Sequence, residues 1–449
     1  MSRPSSPFPR MFLVACLVAV ATGPVIPASS AATRHLRSTT TTAVTHNAGF
    51  AAGKFGWARG TSLTTFDVVK VGLNGGPGAQ LTAPPGRVAS LRTSRGNAAI
   101  DAQTGDRFIG SAWVRATSVG QSGSIVLRTL HGSTTSSATA SFTLYDTAWH
   151  KVSVGMTSRG SAPNVRLAVN FNNMAYGARG FVDSAAVRQF GVSRLIHTSF
   201  DRLALGPMTP SRFQSSVGGD NPMASVYDDT SVAADTRGHG RVIRTTLQAN
   251  TMHTYPSGNN GIVVFVPLRR TVAQACVSYD IRFDASFPWS LGGKLPGLLG
   301  VAPGVAPSVP SGGNNVNDLG WSGRLMWLGP GAYYMPGRSN LAVSYMYHPQ
   351  QKNRYGDNVS WRRSFVRGSW HTVKQCYRMN TPGVHDGRLT AWFDGKLKVD
   401  RRQYLFRTRS DVKITHLSWS IFRGGDSAKW AANRTGHIDI DNLLVTTRS

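Results

Sequence analysis

The pattern that most constrains this chain is a succession of short alternating apolar runs, beginning at His46 and continuing to the C-terminus. Phe66-Asp-Val-Val-Lys-Val, Phe108-Ile-Gly-Ser-Ala-Trp113-Val, Val165-Arg-Leu-Ala-Val-Asn-Phe, Ala275-Cys-Val-Ser-Tyr-Asp-Ile-Arg-Phe and Leu341-Ala-Val-Ser-Tyr-Met-Tyr all show it. Alternation with a period of two places every second side chain on one face of a sheet. Gly, Pro, Asn, Asp and Ser punctuate the runs, and the first half holds no amphipathic helix of three turns. The expectation is an all-β protein. Its length of 449 residues suits more than one domain. A break near Arg194 divides an N-terminal β-sandwich, residues 46–193, from a larger β-jelly-roll, residues 194–449. Asp394-Gly395 lies between two runs as a hairpin turn. The Gly/Pro/Ser-rich segment Val301 to Asn317 is a long loop, expected at the rim of a groove.

The first residues differ in character. Arg3 and Arg10 flank an n-region, Met11 to Thr22 is apolar, and Ala28-Ser-Ser-Ala-Ala32 is a small-residue cleavage zone. Residues 1–31 therefore read as a signal peptide and 32–45 as a Thr-rich linker. Leu13-Val-Ala-Cys16 resembles a lipoprotein box, but almost no apolar run precedes it. Secretion is the expectation, with no membrane association and a monomeric state. In an oxidising compartment Cys276 and Cys376, both in strand-like runs, favour a disulfide over two buried thiols. Neither cysteine stands at zinc-ligand spacing. No cofactor is expected; a structural Ca²⁺ near Asp183 is compatible with a sandwich, without a countable ligand set.

Charge narrows the chemistry. The formal net charge is +28, and all 21 acidic residues are aspartate. Part of the arginine excess is what an Arg-favouring coding bias produces. The rest implies an acidic partner. Nucleic acid is disfavoured, because neither zinc-finger spacing nor a helix-turn-helix pattern is present. A glycoside hydrolase needs two carboxylates at the scissile bond, and here only aspartates such as Asp394, Asp439 and Asp441 could serve. An acidic polysaccharide is the favoured partner.

The residues suited to such a partner concentrate between Gly292 and Tyr347. Lys294 sits in Gly292-Gly-Lys-Leu-Pro-Gly-Leu298, Ser322 and Arg324 in Trp321-Ser-Gly-Arg324, and two phenols in Tyr345-Met-Tyr-His348. In strands Ser322 shares a face with Arg324, and Tyr345 with Tyr347. β-Elimination of a uronan removes the C5 proton, alpha to a carboxylate. That carboxylate must be neutralised and the developing enolate-like charge stabilised. A base and an acid complete the reaction. Arg offers the forked clamp, while Lys and Tyr can exchange protons.

Residues 197–449 resemble the jelly-roll polysaccharide lyases acting on polyuronates, the alginate lyase and glucuronan lyase group. The motifs above carry the resemblance, with Trp370-His-Thr-Val, Gly387-Arg-Leu-Thr-Ala-Trp-Phe-Asp-Gly395, Phe422-Arg-Gly-Gly-Asp426 and Ile438-Asp-Ile-Asp-Asn442. The chain departs from that pattern after Leu299-Gly300, where the long loop begins. The resemblance implies function at Lys294, Ser322, Arg324, Tyr345 and Tyr347. Arg324 would bind the carboxylate, Lys294 neutralise charge or abstract the proton, and Tyr345 or Tyr347 act as acid or base. Ser322 would support substrate binding, and His348 would either join it or be structural.

Residues 46–190 resemble carbohydrate-binding sandwich modules through Asn47-Ala-Gly-Phe50…Phe55-Gly-Trp57, Asp106-Arg-Phe-Ile-Gly-Ser-Ala-Trp113, Trp149-His-Lys-Val and Phe181-Val-Asp183. Trp57, Trp113, Trp149 and Tyr176 are then candidate sugar platforms, although core packing is the commoner fate of such rings. A non-catalytic binding protein for acidic glycans is the remaining alternative.

Overall fold

Alternating strands of this kind bury one face each, so they pair face to face, and this chain does so twice. The structure, a computed structural model, describes residues 41–448 except 44, 46, 52, 95–98, 103–104, 132–133, 160–161, 218–222, 227–228, 236–237, 254–260, 314–317, 333–338 and 426. The segment read as a signal peptide lies outside the described residues. So does most of the Thr-rich linker, although its Thr41–Ala43 is a strand paired with Gly180–Phe190.

Among the described residues the N-terminal half contributes two six-stranded antiparallel sheets. Their inward side chains, from Phe50 to Val187, form one apolar core. Trp57 is part of it, with its indole N–H donated to Asn47 O, 2.9 Å away. Trp113 and Trp149 are half-buried, and Arg115 lies between the rings of Trp149 and Phe181. Tyr176 is 92% exposed. The carboxylate of Asp183 accepts backbone N–H groups of Leu73 and Ser184.

Among the described residues the C-terminal half is a jelly-roll of a nine-stranded back sheet and a seven-stranded sheet, here the groove sheet. A second core, from Leu195 to Val445, fills the space between them. One helix, Pro210–Val217, seals an end with Phe213 and Val217. The strands Ile414–Arg423, Gly292–Val301, Gly320–Leu328 and Leu341–Tyr347 lie side by side in the groove sheet. Phe393 pairs with Lys396 across a turn in which Asp394 and Gly395 have φ of 48° and 68°. Both are left-handed, as a two-residue hairpin turn requires. Cys276 and Cys376 face each other in register on adjacent back-sheet strands and form a disulfide.

The Gly-Gly-Lys-Leu-Pro-Gly motif has a local logic. Proline inside a central strand is tolerated at a bulge, and the pairing of this strand shifts between Leu295 and Gly297. A Cβ on Gly297 would stand 2.1 Å from Gly323 O and 2.6 Å from Arg324 Cα. Glycine there lets the neighbouring strand approach closely, so the lysine and arginine strands are held at short range.

The two halves touch through an Arg448–Asp106 ion pair at 3.0 Å and through Phe55, whose ring centroid lies 3.8 Å from that of His239. No helix among the described residues is long and apolar enough to cross a membrane.

Candidate active site

Four of the residues singled out in the sequence meet on the outer face of the groove sheet. Arg324 pairs in register with Tyr345, and Lys294 with Met326 two residues further along the arginine strand. Lys294 Nζ stands 4.4 Å over the Tyr345 ring. The Arg324 guanidinium carbon is 5.7 Å from the Tyr345 ring and 5.9 Å from that of Tyr347. The two phenol oxygens are 3.4 Å apart. Loop backbone anchors them, because Gly356 N donates to Tyr345 Oη at 3.2 Å and Gly313 N to Tyr347 Oη at 3.0 Å. The loop after Val301 thus reaches the site, with its residues 314–317 outside the described set.

The electrostatics are unusual. Lys294 and Arg324 are each 7% exposed, and among the described residues neither forms an ion pair with a carboxylate. Lys294 Nζ donates only to Gly424 O at 3.2 Å and to the Met326 sulfur at 3.6 Å. Arg324 Nε is buried with no hydrogen-bond partner. The other buried arginines have more partners: Arg282 pairs with Asp235 and Asp439, and Arg423, whose Nε is also without a partner, donates its terminal nitrogens to the carbonyls of Leu247, Gln248 and Arg434. An unpaired buried cation costs several kcal/mol.

Burial, reinforced by Arg324, holds the Lys294 ammonium well below the usual lysine range. A neutral amine is thereby accessible. Burial, together with the neighbouring Tyr347, pushes the Tyr345 phenol above its ordinary value despite Arg324. Lys294 is suited to accept a proton and Tyr345 to hold one.

A cavity of about 350 Å³ opens beside the pair, lined by Lys294, Tyr345, Met326, Leu291, Leu328 and Trp430 among others. No carboxylate lines it among the described residues; Asp426 lies outside them. The aspartates weighed for hydrolysis are committed elsewhere. Asp439 pairs with Arg244 and Arg282, Asp441 with His239, and Asp394 with His371.

Two expected residues stand apart. Ser322 is buried beneath the rim loop and donates to Pro310 O at 2.5 Å. It supports the loop instead of facing the cavity. His348 follows Tyr347 and so leaves on the other face of the strand. There it meets Asp357 at 2.8 Å and the Tyr404 ring at 5.1 Å, away from Lys294.

Sequence reasoning missed His253, Met326 and Trp430. His253 stacks on Phe422, centroids 4.3 Å apart, and Phe422 pairs in register with Lys294. Burial, then Arg324 and Lys294, lower its pKa, so the imidazole adds no third cation. It stands in no motif, and only the fold brings residue 253 beside residue 294. Met326 could have been found from alternation, two residues after Arg324.

The comparisons with known proteins bear on the same residues. Residues 235–443 match the family model of polysaccharide lyase 14. The match covers just under half of the chain and falls within the stretch that carries the sequence resemblance. The matched stretch contains Lys294, Arg324, Tyr345 and Tyr347. Among curated protein sequences none matches this chain. Similar solved structures include the alginate lyase Aly36B, 24% identical over 57% of this chain and 96% of its own, with a TM-score of 0.46. The PL-14 alginate lyase of Aplysia kurodai is 18% identical over 57% of this chain and 100% of its own, TM-score 0.48. An endo-β-1,4-glucuronan lyase from Trichoderma reesei is 13% identical over 51% and 88%, TM-score 0.34.

Proposed function

We propose that this protein is a secreted lyase that cleaves an acidic polyuronate, of the alginate or glucuronan type, by β-elimination. The observation that carries the reading is the pair of buried cations, Lys294 and Arg324, which form no ion pair with a carboxylate among the described residues and lie against two phenols. A uronate carboxylate supplies the missing anion. The Arg324 fork accepts it and withdraws charge from C5, which makes the C5 proton more acidic. Lys294, favoured as a neutral amine by burial, takes that proton. The electron pair of the C5–H bond forms the C4=C5 double bond, and the C4–O4 bond breaks. Tyr345, held protonated, gives its proton to the departing O4. Tyr347, hydrogen-bonded to Gly313, positions its neighbour. Ser322 keeps the rim loop over the site.

The test is ultraviolet absorbance on a panel of mannuronate, guluronate and glucuronate polymers. The new C4=C5 bond conjugated to the carboxylate absorbs in the near ultraviolet, and a hydrolysis product does not. Absorbance that stays flat while the polymer shortens would remove the elimination mechanism. Affinity without any shortening would favour the non-catalytic binding reading.

A further inference from the structure

We infer a second, non-catalytic binding site for the carboxylates of a uronate polymer on the outer face of the back sheet. Adjacent strands there bring Gln274, Arg378, Arg388 and Arg402 into one cross-strand row. Gln274 pairs with Arg378, Arg378 with Arg388, and Arg388 with Arg402. Neighbouring strands lie about 4.8 Å apart, and like charges placed directly opposite destabilise a sheet. Three guanidiniums in register repel one another, a cost that Asp400 offsets only in part. Arg448 joins them at the wall of a cavity of about 130 Å³, with Cys376 and Thr390 also lining it.

The local carboxylates do not balance this charge. Asp400 chelates Arg388 at 2.7 and 3.0 Å and reaches Arg402 at 3.4 Å. Asp106 holds Arg448 at 3.0 Å, and Arg378 donates to the carbonyl of Asp386 at 2.7 Å. Four guanidiniums stand against Asp400, Asp106 and the Asp386 carboxylate, which Thr381 holds within electrostatic reach of Arg378, so positive charge is in excess. The cavity takes a carboxylate with a water or two, since a water occupies about 30 Å³. Its floor is rigid, because Cys376 is disulfide-bonded to Cys276.

The site faces away from the groove. Tyr377 points inward and reaches the groove sheet at Gly323 O, so its exposed neighbour Arg378 points outward. A polymer held there raises its effective concentration at the groove without entering it. The choice of uronate over another polyanion rests on the proposed function above and on the match of guanidinium forks to carboxylates.

The experiment is affinity electrophoresis of full-length protein carrying Lys294→Ala and Arg324→Ala, in gels containing alginate, glucuronan, dextran or duplex DNA. Retention by a uronan, absent with dextran, is expected to persist in that background. Adding Arg378→Ala and Arg402→Ala should weaken it by about tenfold, the scale of two exposed charge-assisted contacts. Arg378→Lys with Arg402→Lys should restore part of it and controls for folding. In the otherwise wild-type enzyme the alanine pair should slow cleavage of polymer and leave cleavage of short oligouronates unchanged. Retention unaffected by the alanine pair, or tighter retention by DNA than by uronan, would overturn the inference. Uronan retention that depends on Arg378 in a protein without ultraviolet-detected cleavage would sustain this site and reject the lyase reading.

Discussion

Tyr377 crosses the core from the back sheet and donates its phenol to Gly323 O at 2.8 Å, at the residue between Ser322 and Arg324. Tyr279 does the same for Pro296 O at 3.0 Å, two residues beyond Lys294. Burial raises both phenols well above their ordinary pKa, so both remain donors. The strands that present Lys294 and Arg324 are thus braced from behind. A Cβ on Gly323 would sit 2.5 Å from the Tyr377 ring, so that glycine is what admits the brace.

Tyr377→Phe should therefore destabilise the fold by about 1–3 kcal/mol, the cost of a buried carbonyl left unsatisfied. The turnover number should also fall, because Arg324 loses its fixed position. Denaturant unfolding and initial rates on the same preparation check this. A loss of stability with unchanged turnover would make the brace purely structural.

As the proposed base, Lys294 should set the acid limb of activity. Its pKa in the folded state is lowered, so the active neutral form is lost as pH falls through that value. The rate should rise with pH along a limb centred well below the ordinary lysine value of about 10.4. Between the folded and unfolded pKa values the unfolded chain binds one more proton here, so stability also rises with pH across that window. Lys294→Met should lower turnover by about 100- to 10,000-fold. It should raise the melting temperature, most at acid pH, since a buried unpaired charge is gone. Melting curves over a pH series and the pH–rate profile test both halves.

As the proposed acid, Tyr345 should govern the alkaline side. Its raised pKa keeps the phenol protonated through neutral and moderately alkaline pH, so its proton donation should not fail there. Tyr345→Phe should cut turnover on polymers more than Tyr347→Phe does. A substrate analogue with a good leaving group at O4 should recover much of the Tyr345→Phe loss, since such a group needs no proton. Equal loss with both leaving groups would move Tyr345 out of the acid role.

The disulfide joins residues 100 apart in sequence. A cross-link of that span constrains the unfolded chain by up to about 4.7 kcal/mol. Reduction, or Cys276→Ala with Cys376→Ala, should lower the denaturation midpoint strongly. The same treatment should reduce turnover less, because the bond lies on the face away from the groove. Midpoints with and without reductant, beside residual activity, give the comparison.

Much of this was written in local pattern. Strand alternation fixed which side chains share a face, so Arg324 beside Ser322 and Tyr345 beside Tyr347 followed from spacing alone. The absence of glutamate restricted acid–base chemistry to Lys, Tyr, His and Asp, and Cys276 and Cys376 in strand-like runs favoured one bridge. Periodicity could not say which face each strand turns to the groove. Ser322 shares the face of Arg324 yet spends its hydroxyl on Pro310 O, and His348, one residue past Tyr347, falls on the opposite side.

What only the tertiary structure decided is long-range and electrostatic. His253 stacked on Phe422 beside Lys294, Tyr377 at Gly323, and the arginine row all depend on register between strands distant in sequence. Residue identity supplies the groups and their ordinary pKa values. Burial and neighbouring charges shift them, and those properties arise only when separate strands close over the same space.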